Sequence, residues 1–104
     1  MYPAQRIVTN ISRKQVDQAI EELEQSIEVD RTEIGHYQIL EQMVSAASLK
    51  AVGGGKAPMG LDFALREKQQ AKHALQGLMQ LEYDEINKKQ EVLSFFNRLR
   101  AYVT

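Results

Sequence analysis

The sequence contains no cysteine among its 104 residues. Disulfide bonds, thiolate nucleophiles and thiolate metal ligands are therefore excluded, and the redox compartment stays open. Long apolar runs are also missing, whereas a membrane-spanning helix needs about 20 consecutive apolar residues. The segment 1–10 holds one basic residue, Arg6, and lacks the apolar centre of a secretory signal. We therefore expect a cytoplasmic protein without membrane contact, and export without a signal is left open.

An excess of charge of one sign is lacking as well. The chain has 13 lysines and arginines against 14 aspartates and glutamates, which gives a formal net charge of −1. Proteins dedicated to binding nucleic acid usually carry a clear positive excess, so this balance argues against that class. Hydrophobic residues make up 43% of the chain, which is enough for a folded core. At this length we expect residues 1–104 to form a single domain.

Glycine and proline are few, and most of them fall in one place near the middle of the chain. Three consecutive glycines and Pro58 form a break there, because glycine disfavours a helix and proline excludes helical geometry from the residue before it. We predict an irregular lead over 1–11, helix 1 over 12–51, a glycine-rich turn over 52–58 and helix 2 over 59–103. The fold class is therefore all-α, an antiparallel two-helix hairpin with long, coiled-coil-like helices.

Apolar residues recur at helical spacing on both sides of the break. Ser12 and Gln15 form a capping-box pattern at the start of helix 1. Asp30 stands where an apolar residue is expected and Gly35 follows it, so a kink within 30–35 is the alternative to a continuous helix. The stripe of helix 1 comprises Val16, Ile20, Leu23, Ile27, Ile34, Tyr37, Leu40, Val44 and Ala47. The stripe of helix 2 comprises Leu61, Leu65, Ala71, Leu75, Leu78, Met79, Ile86, Leu93, Phe96, Leu99 and Val103.

Several large apolar residues lie off these stripes, and one hairpin cannot bury them. We predict that two hairpins form a homodimer, a four-helix bundle, and that an unidentified protein partner could use the same surface. Phe95 and Phe96 point about 100° apart on a helix, so one belongs to the core of the hairpin and the other meets another chain. The predicted partner or dimer interface consists of Ile39, Met43, Phe63, Leu81, Tyr83, Val92, Phe95, Phe96 and Leu99.

The glycine-rich break invites interpretation as a phosphate-binding loop. That motif needs glycine where Lys50 stands and serine or threonine where Ala57 stands, and no strand precedes it. We therefore predict a flexible turn, with Lys56 at an exposed tip. The sequence predicts no cofactor.

Catalytic and metal-binding patterns are weak throughout the chain. His36 and His73 fall at similar heights in a hairpin, but His73 has no carboxylate three or four residues away. We interpret the acidic residues Glu82, Asp84 and Glu85 as a solvated helix face, because two straight helices offer no cleft for acid–base chemistry. The sequence predicts no catalytic residue, no metal site and no enzymatic activity.

The sequence therefore favours a non-enzymatic protein–protein interaction module, such as a small chaperone, adaptor, regulator or inhibitor. A basic patch of Lys88, Lys89, Arg98 and Arg100 late in helix 2 supports an alternative, a small dimeric nucleic-acid-binding regulator. A structural subunit of a larger coiled-coil assembly is a further alternative.

Overall fold

A computed structural model of the protein describes residues 10–49 and 58–103. Two helices, α1 (Arg13–Ala46) and α2 (Pro58–Arg100), pack against each other along their length, and the described residues contain no strand. Early residues of one helix contact late residues of the other, so the helices are antiparallel. The molecule measures 23 by 19 Å across its long axis. The predicted all-α helical hairpin is confirmed.

Helix α1 begins at the predicted capping box. The backbone N–H of Gln15 donates to Ser12 Oγ at 3.2 Å, and the backbone N–H of Ser12 donates to Gln15 Oε1 at 2.9 Å. Two donors that the first turn would leave without partners are thereby satisfied. The helix then runs without interruption through residues 30–35, where the sequence leaves a kink open.

Helix α1 ends at Ala46, before the expected end at residue 51, because α2 supplies a cap. Ala47 adopts an extended backbone with φ −60° and ψ 119°. The ammonium group of Lys68 donates to the carbonyl of Ser45 at 3.2 Å and to that of Ala47 at 2.8 Å. A cation at this position satisfies the terminal carbonyls and complements the negative end of the helix dipole.

Helix α2 begins at Pro58. Proline suits the first turn of a helix, because the backbone N–H group that it lacks would have no partner there. It ends at Arg100 rather than at residue 103. The backbone N–H groups of Ala101 and Tyr102 close the end with bonds to carbonyls three residues earlier. The remaining residues predicted for the glycine-rich turn, and the lead before residue 10, lie outside the described residues.

Side chains that face the opposite helix follow alternating steps of three and four residues, as positions a and d of a heptad do. We call this contact line the seam, and we assign the heptad so that Ile27 and Ile86 stand at position a and Asp30 and Lys89 at position d. In α1 its buried or half-buried residues are Val16, Ile20, Leu23, Ile27, Asp30, Ile34, Tyr37, Glu41 and Val44. In α2 they are Leu61, Lys68, Lys72, Leu75, Met79, Glu82, Ile86, Lys89, Leu93 and Phe96, and Val103 continues the line after the helix.

The core occupies the half of the hairpin that lies away from the turn. One buried cluster joins Ile27 and Ile34 to Met79 and Ile86, and a second joins Val16 and Ile20 to Val103. Between residues 35 and 78, no described residue is fully buried. The two helices therefore hold each other mainly in the half that contains the start of α1 and the end of α2.

Three leucines that the sequence assigns to the stripes are exposed. Leu40, Leu65 and Leu78 keep 45%, 45% and 41% of their surface accessible. Leu40 and Leu78 stand at position g, beside the seam rather than on it. Leu65 belongs to the turn half, where the core is thin.

Candidate functional site

The seam contains an ion pair in the middle of the hairpin. Asp30 is the only polar residue that is fully buried in the described part of the chain. The Lys89 ammonium lies 2.7 Å from Asp30 Oδ2 and 3.5 Å from Glu85 Oε1. A buried carboxylate is tolerated when a cation pairs with it at hydrogen-bonding distance. Asp30, where the sequence leaves a kink in helix 1 open, is therefore a contact between the helices.

Glu82 extends this charged cluster. Burial raises the pKa of the Glu82 carboxyl, and the negative charges of Asp30 and Glu85, together with a hydrogen bond to Asp30, raise it further. The expected solvated face is thus wrong for Glu82, which lies half-buried on the seam. The hydrogen bond to Asp30 is the largest cause that raises the pKa of Lys89, against an opposing effect of burial.

Tyr37 lies next to the same cluster along the seam. Burial raises the pKa of its phenol group most, and the charges of Glu33 and Glu82 add to the shift. At neutral pH the Tyr37 hydroxyl therefore keeps its proton, which it can donate to a neighbouring carboxylate.

Carboxylate oxygens of Asp30, Glu82 and Glu85 lie within 4.8 Å of one another. Three carboxylates at this spacing have the geometry of a cation site. The Lys89 ammonium, however, already contacts two of them and supplies the positive charge. We therefore interpret the cluster as an internal ion-pair network of the hairpin.

The two histidines are both exposed. In the part of the chain that the structure describes, the carboxylate cluster is the only group with metal-ligand spacing, and neither His36 nor His73 belongs to it. Each imidazole therefore faces solvent.

Most of the predicted interface residues are exposed. Phe95 keeps 53% of its surface accessible, whereas Phe96 packs against the cluster of Val16, Ile20 and Val103. The adjacent rings meet edge to face with centroids 5.4 Å apart. Leu99 is half-buried against the same cluster. The other exposed members of the predicted interface are Ile39, Met43, Phe63, Leu81, Tyr83 and Val92.

The basic residues of the alternative patch do not form one free surface. Lys89 is paired with Asp30 and Glu85, and Arg100 Nε lies 3.0 Å from Asp17 Oδ1. Lys88 and Arg98 remain exposed. Half of the predicted basic patch thus neutralises acidic residues of the same chain.

One side of the hairpin is polar. Glu24 and Arg31 of α1 and Gln90 of α2 line a shallow groove over Ile27 and Leu93. Position e of both helices therefore lies on this side of the seam. We define the polar flank as positions e and b. Its α1 residues are Lys14, Asp17, Glu21, Glu24, Glu28, Arg31, Gly35, Gln38, Gln42 and Ser45. Its α2 residues include His73, Gln76, Gln80, Asn87, Gln90, Ser94 and Asn97, with Tyr83 as the one large apolar exception.

The opposite side of the hairpin is apolar along most of α2. Positions g and c of both helices lie there, and we call them the apolar flank. On α2 they hold Ala71, Ala74, Leu78, Leu81, Glu85, Lys88, Val92, Phe95 and Leu99, and Tyr102 continues the spacing in the turn that closes the helix. On α1 the flank holds the exposed apolar residues Val29, Leu40 and Met43, which are accessible to 61%, 45% and 63%, among polar residues that include Glu22, Glu33 and His36. Helix α2 thus has two apolar stripes, one on the seam and one beside it.

Sequence reasoning missed both the Asp30–Lys89 pair and the second stripe of α2. The signal for the pair was present, because Glu82 and Lys89 continue the three–four spacing of the apolar residues around them. The signal for the second stripe was the recurrence of Leu78, Leu81 and Phe95 at the same alternating steps. A search restricted to one apolar stripe per helix assigns Leu78 to that stripe and leaves Leu81 and Phe95 as surplus surface.

Neither α1 nor α2 offers, within the described residues, an apolar stretch of the length needed to cross a lipid bilayer. Comparison with known protein families, with curated proteins and with solved structures finds no match for this chain.

Proposed function

We propose that the protein is a non-enzymatic protein–protein interaction module, of the kind that serves as a small chaperone, adaptor or regulator, and that it binds through the apolar flank. The observation that supports this proposal is the difference between the two flanks. Exposed large apolar residues concentrate on one side of the hairpin, whereas the other side is almost entirely polar. Contiguous apolar surface of this kind is typical of sites that another macromolecule covers.

The thin core supports the same proposal. Described residues in the turn half of the hairpin contain no buried side chain, although Leu40, Met43 and Leu65 lie there. A partner that covers these side chains would remove apolar surface from water. Such burial is favourable by about 25 cal/mol for each Å² of apolar surface. We therefore expect binding to stabilise the turn half of the hairpin, where the contacts between the two helices bury least.

The test compares two neighbouring substitutions on opposite flanks. Phe95→Glu places a charge on the apolar flank, and the matched control Ser94→Glu places the same charge on the polar flank. Solution mass by light scattering and affinity capture from the native host would be measured for both variants. We expect Phe95→Glu to lose self-association or partner binding and Ser94→Glu to keep both. A wild-type monomer of 11.9 kDa whose captured proteins are unchanged in Phe95→Glu would contradict the proposal.

A further inference from the structure

The apolar flank of α2 has an order that a second copy of the same helix would match. Its residues follow alternating steps of three and four from Ala71 to Tyr102, with Glu85 and Lys88 as the only charged members. These two charges stand on either side of the midpoint of the stripe, which falls between Ile86 and Asn87. A stripe with opposite charges placed evenly about its centre is complementary to its own reverse.

We propose that the apolar flank of α2 is a self-recognition surface, on which a second copy of the chain binds with its α2 antiparallel and with the two-fold axis between Ile86 and Asn87. This inference rests on the proposed interaction function and specifies its partner. In a two-fold interface each residue faces the residue that lies equally far on the other side of the axis. The partner is therefore determined by the stripe itself.

The central layer of this arrangement pairs opposite charges. Glu85 of each copy faces Lys88 of the other, so two equivalent ion pairs flank the axis. Lys88 makes no ion pair with any described residue of its own chain. Glu85 is about half exposed and contacts Lys89 at 3.5 Å, which leaves its carboxylate accessible to a second cation. A parallel arrangement would instead place Glu85 opposite Glu85 and Lys88 opposite Lys88.

The outer layers pair side chains of complementary size. Moving outward from the axis, Leu81 faces Val92 and Leu78 faces Phe95. Farther out, Ala74 faces Leu99 and Ala71 faces Tyr102, so a small residue meets a large one in both layers. Each pair joins position g of one helix to position c of the other, which is how a and d alternate in an antiparallel coiled coil. The dimer then buries large side chains that are 41% to 65% exposed in the single chain, namely Leu78, Leu81, Val92, Phe95 and Tyr102.

Charge reversal tests the central layer. Glu85→Lys and Lys88→Glu would each bring two like-charged pairs together at the axis. We expect each single variant to raise the dimer dissociation constant, measured by analytical ultracentrifugation, by about tenfold or more. An equimolar mixture of the two variants restores complementary pairs and should associate as tightly as wild type. The control Asp84→Lys makes the same charge change on the outer face of α2 and should leave association unchanged.

Mixing the variants separates intermolecular effects from effects within one chain. A helix weakened internally by Glu85→Lys would stay weakened in the mixture, so failure of the mixture to associate would overturn the proposed pairing. Circular dichroism of each variant would show whether the hairpin is intact.

Disulfide cross-linking tests direction and register independently, because the natural chain has no cysteine. A mixture of Leu81→Cys and Val92→Cys should form a covalent dimer under mild oxidation, whereas either variant alone should not. Cross-linking of Leu81→Cys with itself would indicate parallel helices and overturn the inference, while the proposed interaction function would stand.

A wild-type monomer at micromolar concentration would also overturn the inference. In that case the capture experiment with Phe95→Glu and Ser94→Glu decides the proposed function separately.

Discussion

Asp30 shows how a helical seam accommodates a charge at a core position. A buried carboxylate without a partner costs several kcal/mol, and Lys89 offsets that cost from the same position of the opposite helix. Sliding α2 by one heptad would place Glu82 or Phe96 beside Asp30 instead. The ion pair therefore favours one register of the hairpin over the neighbouring ones, which apolar residues alone would distinguish less sharply.

Removing the Lys89 ammonium should destabilise the hairpin strongly. We expect Lys89→Met to lower the free energy of unfolding by about 3 kcal/mol, because the buried Asp30 carboxylate loses the ammonium group that contacts it. Urea denaturation followed by circular dichroism measures the change. Lys14→Met, on an exposed lysine that makes no ion pair with a described residue, should stay within about 0.5 kcal/mol of wild type.

The double variant Asp30→Leu with Lys89→Leu sharpens this prediction. It removes both charges at once, so we expect it to recover most or all of the lost stability. Equal losses in Lys89→Met and Lys14→Met would show that the pair does not stabilise the seam.

Glu82 should make the stability of the hairpin depend on pH in the acidic range. Its pKa in the folded protein lies above the ordinary value of 4.5, so the folded state binds the proton more tightly than the unfolded chain does. The stabilising contribution is complete below pH 4.5 and is lost as the pH rises through the folded pKa. Glu82→Gln keeps a neutral side chain at every pH.

The measurement is the difference in unfolding free energy between wild type and Glu82→Gln from acidic to neutral pH. As the pH rises, we expect the unfolding free energy of wild type to fall relative to that of Glu82→Gln. Only the wild-type side chain acquires a negative charge at this position on the seam. Glu91→Gln, at an exposed position, serves as the control. A constant difference across the range would contradict the assigned environment of Glu82.

At the scale of the element, each helix is delimited by identifiable contacts. Ser12 and Gln15 start α1 by satisfying each other's backbone N–H groups. Lys68 ends it from the other helix by binding the carbonyls of Ser45 and Ala47. The start of α1 is thus a local property, whereas its end depends on the packed hairpin.

Three glycines lie inside the helices without a steric reason, Gly60 in the first turn of α2 and Gly35 and Gly77 in helix interiors. A Cβ atom added at Gly35 or Gly77 has no described atom within 4 Å apart from its chain neighbours and the nearby backbone of its own helix. We therefore expect Gly35→Ala and Gly77→Ala each to raise the free energy of unfolding by about 1 kcal/mol, because alanine has the higher helix propensity. Urea denaturation tests this, with Gln70→Ala as an exposed control expected to change little. Destabilisation by either glycine substitution would reveal a close contact at that position.

At the scale of the whole molecule, the hairpin has two unlike sides and an uneven core. Buried residues concentrate away from the turn, and exposed apolar residues concentrate on one flank. A pair of helices can bury only one stripe from each, so the second stripe of α2 remains in water in the single chain. Self-pairing through that stripe would complete the burial that the hairpin begins.

Particular residues show how far sequence reasoning reached. Phe95 and Phe96 lie in different environments because neighbouring side chains on a helix point in different directions. Phe96 is the one that packs within the hairpin. Leu40 and Leu78 were assigned to the stripes, because an apolar residue beside the seam has almost the same spacing as one on it. Lys89 could not be identified as a seam residue without its partner, since lysine at a core position is usually unfavourable.

The sequence by itself determined the helical class, the antiparallel hairpin and the capped start of α1, because these depend on short-range spacing and local hydrogen bonds. Tertiary structure alone decided which stripe of α2 meets α1, where α1 ends and which acidic residues leave the solvent. These outcomes depend on the register between helices, and register is set by contacts such as Asp30 with Lys89 between residues far apart in the chain.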